Sequence, residues 1–101
     1  MVTVRVEPAG IELDVAPGET VMAAATRNGY VWPTVCGGRA ECGVCVLKVL
    51  ASNGLPLPEP LEAARLGALP LAAGAEWRLA CQLRPGTDGL VVRKAGVRRG
   101  T

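Results

Sequence analysis

Four cysteines in a chain without histidine set the chemistry open to this protein. Three crowd into ten residues, Cys36-Gly-Gly-Arg-Ala-Glu-Cys42-Gly-Val-Cys45, with gaps of five and two residues. The fourth, Cys81, follows after thirty-five more residues, inside Arg78-Leu-Ala-Cys-Gln82. Thiolates are soft metal ligands as well as nucleophiles. A loop made mostly of small residues can wrap a compact group that takes sulfur ligands from several sides. Thiolate charge in a partly buried site needs hydrogen-bond donors, and Gly37, Gly38 and Gly43 let backbone N–H groups come close. Arg39 adds a positive charge to the same loop. Val44 and Val46 stand where they can shield its inner side from water.

A [2Fe–2S] cluster takes four Cys thiolates, and its plant-type spacing is a close run of three plus one distant Cys. The chain has that shape with one extra residue between the first and second Cys. Structural zinc favours paired C-x2–4-C knuckles, and only Cys42-x2-Cys45 forms one. A disulfide framework needs an oxidising compartment, for which the sequence carries no signal. A thioredoxin-like C-x2-C pair would leave Cys36 and Cys81 unexplained. Rieske centres need two His ligands, so the lack of His closes that option along with His general bases.

The chain has 101 residues, the size of one domain. A domain of this length buries only a marginal core, so a bound metal group would add much of its stability. Half the residues are apolar, mainly Ala, Val and Leu, with no Phe; the core must be aliphatic. Two Trp and one Tyr are too few to stack a nucleic-acid strand. The net charge is +2 and is uneven. Residues 1–60 carry four basic and six acidic side chains, and residues 61–101 carry seven and three. No run of five like charges marks a polyanion-binding tail. Met1–Glu7 alternates like a strand and lacks the apolar stretch of a signal peptide. The longest apolar run, Val21–Ala25, is far below the roughly 20 residues that span a bilayer. A soluble, cytoplasmic protein in a reducing compartment is expected.

The elements that must position the cysteines follow from periodicity. Val2, Val4 and Val6, then Ile11, Leu13 and Val15, alternate with polar residues across Pro8-Ala9-Gly10, which predicts an antiparallel hairpin. Glu19–Asn28 shifts to helical spacing, with Thr20 as N-cap and Gly29 as stop. Tyr30–Pro33 is a short extended connector into the cysteine loop. Val44–Leu50 reads as a strand, and Ser52-Asn-Gly54 turns out of it. Pro60 opens a short helix over about Leu61–Leu69. Glu76–Gln82 extends toward the fourth Cys, and Leu90–Arg93 is a last strand. Gly96–Thr101 reads as a frayed basic tail.

The cysteine pattern, with Cys42-Gly-Val-Cys45 and Arg78-Leu-Ala-Cys-Gln82, resembles plant- and vertebrate-type [2Fe–2S] ferredoxins. The five-residue first gap is similar to adrenodoxin-like and related bacterial members, where plant ferredoxins have four. The resemblance covers nearly the whole chain. It implies a single domain, 1–101, of α+β class with the β-grasp ferredoxin fold: a mixed sheet, one main helix and a short second helix. It also implies a [2Fe–2S] cluster on Cys36, Cys42, Cys45 and Cys81. Cys36 and Cys42 would hold the iron nearer the surface, and Cys45 and Cys81 the inner iron. Such a protein is an electron carrier, not an enzyme. It moves one electron at a time from a ferredoxin reductase to a redox acceptor enzyme, for example a monooxygenase. A monomer is expected, with no nucleic-acid partner and no membrane span. Two alternatives stay open: an electron-input subunit of one enzyme complex, and an interaction domain stabilised by zinc on the four cysteines.

Two departures from the family pattern bear on docking. Members are usually distinctly acidic, and they often dock through an acidic helix between the third and fourth Cys. Here that helix offers Glu59 and Glu62 at its start, then Arg65, so the usual surface does not carry over. Glu59 and Glu62 read either as contacts to a basic reductase or as solvated acids suited to a helix N-terminus. Trp32 and Trp77 read as packing more than as gates. Arg39 and Glu41 read as tuning groups or as solvated loop, and Arg98-Arg99 as a tail able to reach an acidic partner.

Overall fold

Period-two alternation at the start of the chain builds the hairpin that seeds the sheet. The computed structural model describes residues 2–33, 45–69, 71 and 76–100. Strand β1 (Val2–Glu7) pairs antiparallel with β2 (Ile11–Val15), setting Val4 opposite Leu13 and Arg5 opposite Glu12. Val4, Val6, Leu13 and Val15 are buried, while Thr3, Arg5, Glu12 and Asp14 face solvent. Helix α1 (Val21–Arg27) is shorter than the predicted Glu19–Asn28, because Thr20 caps it: its hydroxyl accepts from Ala23 N–H at 3.1 Å. Val21, Ala24 and Ala25 form its buried face. Gly29 ends it with φ +87°, a backbone angle that favours glycine.

Strand β3 (Tyr30–Val31) leads toward the cysteine loop. Strand β4 (Val46–Ala51) follows the loop, against an expected Val44–Leu50, of which Val44 lies outside the described residues. Helix α2 (Pro60–Ala68) opens with Pro60 as expected and packs on β5 (Glu76–Leu79). The predicted extension of β5 to Gln82 stops at Leu79. There the chain turns, and the Leu79 carbonyl accepts from Gln82 N–H at 3.0 Å and Leu83 N–H at 2.8 Å.

Strand β6 (Leu90–Arg93) enters the middle of a five-stranded mixed sheet of order β2-β1-β6-β4-β5. It runs parallel to β1, with Val4 opposite Leu90, and antiparallel to β4. The core is aliphatic except for Trp32: Leu13, Leu47, Leu79, Leu83 and Leu90 are at most 2% exposed, and Trp32 is 3% exposed among them. This mixed sheet with two helices is the β-grasp architecture that the resemblance implied.

The tail departs from expectation. Arg98–Arg99 form strand β7, which pairs antiparallel with β3, and Gly100 N–H donates to the Gly29 carbonyl at 2.7 Å. Val97 is buried ahead of it, and the Arg99 guanidinium lies 5.2 Å from the Tyr30 ring centroid. A buried Val and a cation over an aromatic face supply what two polar residues alone do not show. Among the described residues no helix is long and apolar enough to cross a membrane.

Candidate metal centre

Two cysteines far apart in sequence meet at the end of the sheet. Cys45 precedes β4, Cys81 follows β5, and the pairing of Val46 with Leu79 draws the two strand ends together. The Cys45 and Cys81 Sγ atoms lie 3.3 Å apart, with Cys45 fully buried and Cys81 6% exposed. That distance is no disulfide, whose S–S bond is about 2.05 Å. Two thiolates sharing one tetrahedral metal at about 2.3 Å would stand roughly 3.8 Å apart, so the pair needs only a small opening to ligate. A buried sulfur pair of this kind suits a soft metal group.

The backbone around both sulfurs is tied on several sides. The Cys45 carbonyl accepts from the Trp32 indole N–H at 3.1 Å and from Ala80 N–H at 3.4 Å. Trp32 is buried, so its predicted packing role is met together with a polar bond. The first N–H groups of α1 have no partner within the helix. Val21 N–H donates to the Leu83 carbonyl at 2.9 Å and Met22 N–H to the Ala80 carbonyl at 3.0 Å, bracing the turn on either side of Cys81. The Gln82 side-chain amide points at Cys81 Sγ from 3.7 Å, a weak donor contact.

One anchor was missed in the sequence. Glu62 is neither solvated nor offered to a partner: it is 1% exposed and forms a two-pronged ion pair with Arg78, itself 4% exposed. Arg78 Nε donates to Glu62 Oε2 at 2.7 Å and Nη2 to Oε1 at 3.0 Å. Leu79 N–H adds a bond to Oε2 at 2.9 Å, and Arg78 Nη1 reaches the Pro56 carbonyl at 2.7 Å. The group locks α2 onto the strand that delivers Cys81. A signal existed: Glu62 shares a helix face with Leu66, four residues on, which packs against the core. A carboxylate on such a face needs a buried cation. Glu59 stays exposed, and so does the start of α2, where Leu57 and Leu61 are 88% and 58% exposed.

Trp77 also departs from expectation. It is half-buried on the outer face of the sheet, outside the core, beside Lys48 and Arg93. Val46 is half-buried and packs against the core. Cys36 and Cys42, with Gly37, Gly38, Arg39, Glu41, Gly43 and Val44, lie outside the described residues.

A sheet that gathers two buried thiols at one end suits a protein that holds a metal group through thiolates. The comparisons with known proteins agree. Residues 4–86 match the family described as the 2Fe-2S iron-sulfur cluster binding domain. Putidaredoxin from Pseudomonas putida is 36% identical over 86 residues, covering 80% of each chain. A ferredoxin from Rhodopseudomonas palustris HaA2 has a similar structure, with a TM-score of 0.63, 30% identity, and coverage of 99% of this chain and 98% of that one. A cytochrome P450 reductase from Amycolatopsis contains a similar unit, with a TM-score of 0.66 and 34% identity; all of this chain matches 28% of that one. The chain belongs to the 2Fe-2S ferredoxin family. It binds a [2Fe–2S] cluster and is an electron-transfer protein rather than an enzyme.

Proposed function

We propose that residues 1–101 form one domain in which Cys36, Cys42, Cys45 and Cys81 ligate the cluster, with Cys45 and Cys81 on the inner iron. The meeting of Cys45 and Cys81, buried with their sulfurs 3.3 Å apart, carries this reading. The pairing of β4 with β5 brings these two positions together. When bound, the cluster supplies a one-electron couple. The protein's own part is to exclude water from the inner sulfurs, fix their backbone, and supply donors to their charge. Burial of Cys45 and the braces from Trp32, Ala80, α1 and Glu62 perform the first two tasks. The Gln82 amide contributes to the third.

The partners follow as part of the same proposal: a ferredoxin reductase as donor and an oxygenase, such as a monooxygenase, as acceptor, with the chain acting as a cytoplasmic monomer. Support comes from the likeness to putidaredoxin and to part of a cytochrome P450 reductase. That second likeness also favours another arrangement, in which the chain feeds electrons within one complex. Copurification with a reductase or oxygenase at fixed stoichiometry would select it.

The test is a visible spectrum with iron and acid-labile sulfide analysis of the purified protein and its Cys→Ser variants. Two irons and two sulfides per chain are expected, with colour lost on replacing any one of the four cysteines. A colourless protein holding one zinc and no sulfide would sink the assignment. A normally coloured, stable Cys81→Ser variant would remove Cys81 from the ligand set.

A further inference from the structure

The outer face of the sheet carries a row of side chains that the cluster site does not use. In the β4–β5 register Lys48 stands opposite Trp77, and in the β4–β6 register it stands opposite Arg93. Val46, Lys94 and Ala95 complete a groove of about 350 Å³ around these three. Like charges directly opposite on neighbouring strands repel. The acid next along the row does not resolve this: Glu7, opposite Arg93 on β1, lies 3.3 Å from Arg5 Nε. The groove therefore gathers positive charge over an apolar floor. An anion seated between Lys48 and Arg93 would turn repulsion into attraction.

Its position ties the groove to the thiols. Val46 lines it and directly follows Cys45, and the residue opposite Val46, Leu79, lies two before Cys81. We propose that this groove is a docking surface for an acidic segment of a protein partner, with carboxylates between Lys48 and Arg93 and an apolar side chain on Trp77. The proposal rests on the electron-carrier reading, because it makes the partner a redox protein that approaches from the Cys45 end of β4. The floor selects a protein segment over nucleic acid, since one half-buried Trp offers a single stacking surface and single-strand binders use successive ones. The face is also opposite in sign to the acidic surface common in the family.

The test uses the cluster-loaded protein and a short fluorescein-labelled peptide of Asp and Glu ending in Leu, read by anisotropy. The Lys48→Gln/Arg93→Gln pair should weaken binding by about tenfold or more, the worth of one charged contact. The Arg84→Gln/Arg98→Gln pair changes net charge equally and should leave binding within about twofold. Raising ionic strength from roughly 0.01 M to 0.15 M, which shortens the Debye length from about 30 Å to 8 Å, should weaken wild-type binding steeply. Equal losses from both pairs, or no peptide binding at low salt, would overturn the proposal. Tighter binding of a thymidine oligonucleotide of equal charge, lost in the first pair, would overturn it in favour of nucleic acid. Visible absorption of the same samples separates the two readings. A protein that takes up no iron and sulfide on reconstitution overturns the electron-carrier assignment whatever the peptide does, whereas a coloured protein that ignores the peptide overturns the groove.

Discussion

Two arginine–glutamate pairs in this molecule have nearly the same geometry and opposite surroundings. Arg78 grips Glu62 at 2.7 and 3.0 Å beside the turn that carries Cys81, with both residues almost wholly out of water. Arg27 grips Glu19 at 2.9 Å through two nitrogens, at the outer side of α1, with the Arg27 side chain 44% exposed and that of Glu19 16%. Each carboxylate also accepts a backbone N–H, from Leu79 in one case and from Ala16 in the other. The bonds are alike; the cost of losing them is not. In water a broken pair is rehydrated at once, so an exposed pair contributes little. In the interior the survivor stays charged and unpartnered, so a buried pair binds the structure to keep both members.

The largest expected effect tests the buried pair. Glu62→Ala should destabilise the protein by roughly 3–5 kcal/mol, because Arg78 is left charged and buried while Leu79 N–H loses its acceptor. Denaturant midpoints would show this, together with faster bleaching of the cluster as Cys81 loses its brace. Replacing both partners, Glu62→Leu with Arg78→Met, should cost much less than the single change, though an orphaned Leu79 N–H still costs about 1–3 kcal/mol. If the double variant proved worse than Glu62→Ala alone, the ionic account of this corner would fail.

A middle-sized effect probes the exposed end. Thr20→Ala removes the α1 cap and should lower stability by about 1 kcal/mol. The same helix braces Ala80 and Leu83 through its first N–H groups, so the loss should appear as faster exchange of the Val21 and Met22 amides. Unchanged exchange there would mean that the turn around Cys81 holds α1, and not the reverse.

The smallest effect concerns the exposed pair itself. The Arg27 hydrogen bonds, then the bond from Ala16 N–H, lower the Glu19 pKa from its usual 4.5 to about 2. A carboxylate with a depressed pKa stabilises the fold above its unfolded value and loses that contribution as pH falls through the folded one. The stability gap between wild type and Glu19→Gln should therefore hold from neutral pH down to about 4.5 and close as pH falls toward 2. A gap independent of pH across that window would assign Glu19 a packing role.

The two regions also differed in how readily the sequence disclosed them. The β1–β2 hairpin and α1 were legible because apolar side chains recur at the period of the element that buries them. The cysteine spacing was legible because cluster ligation constrains it directly. Glu62 and Arg78 sit sixteen residues apart on different elements, so no local period links them, and each alone looks like a surface charge. Strand β7 was hidden for a related reason, since two arginines carry no strand signal until Tyr30 and Gly29 are placed beside them. The size of Trp77 points to the core, and only the register of β4 with β5 shows which face it occupies.

The central position of β6 bears on the order in which the molecule is assembled. Val4 is held against Leu90, so the first strand cannot find its parallel neighbour until the chain has been made past Leu90. Every cysteine precedes β6. All four thiols are therefore made before the strand that closes the middle of the sheet. Iron and sulfide can therefore be delivered to a chain whose sheet is still open at its centre.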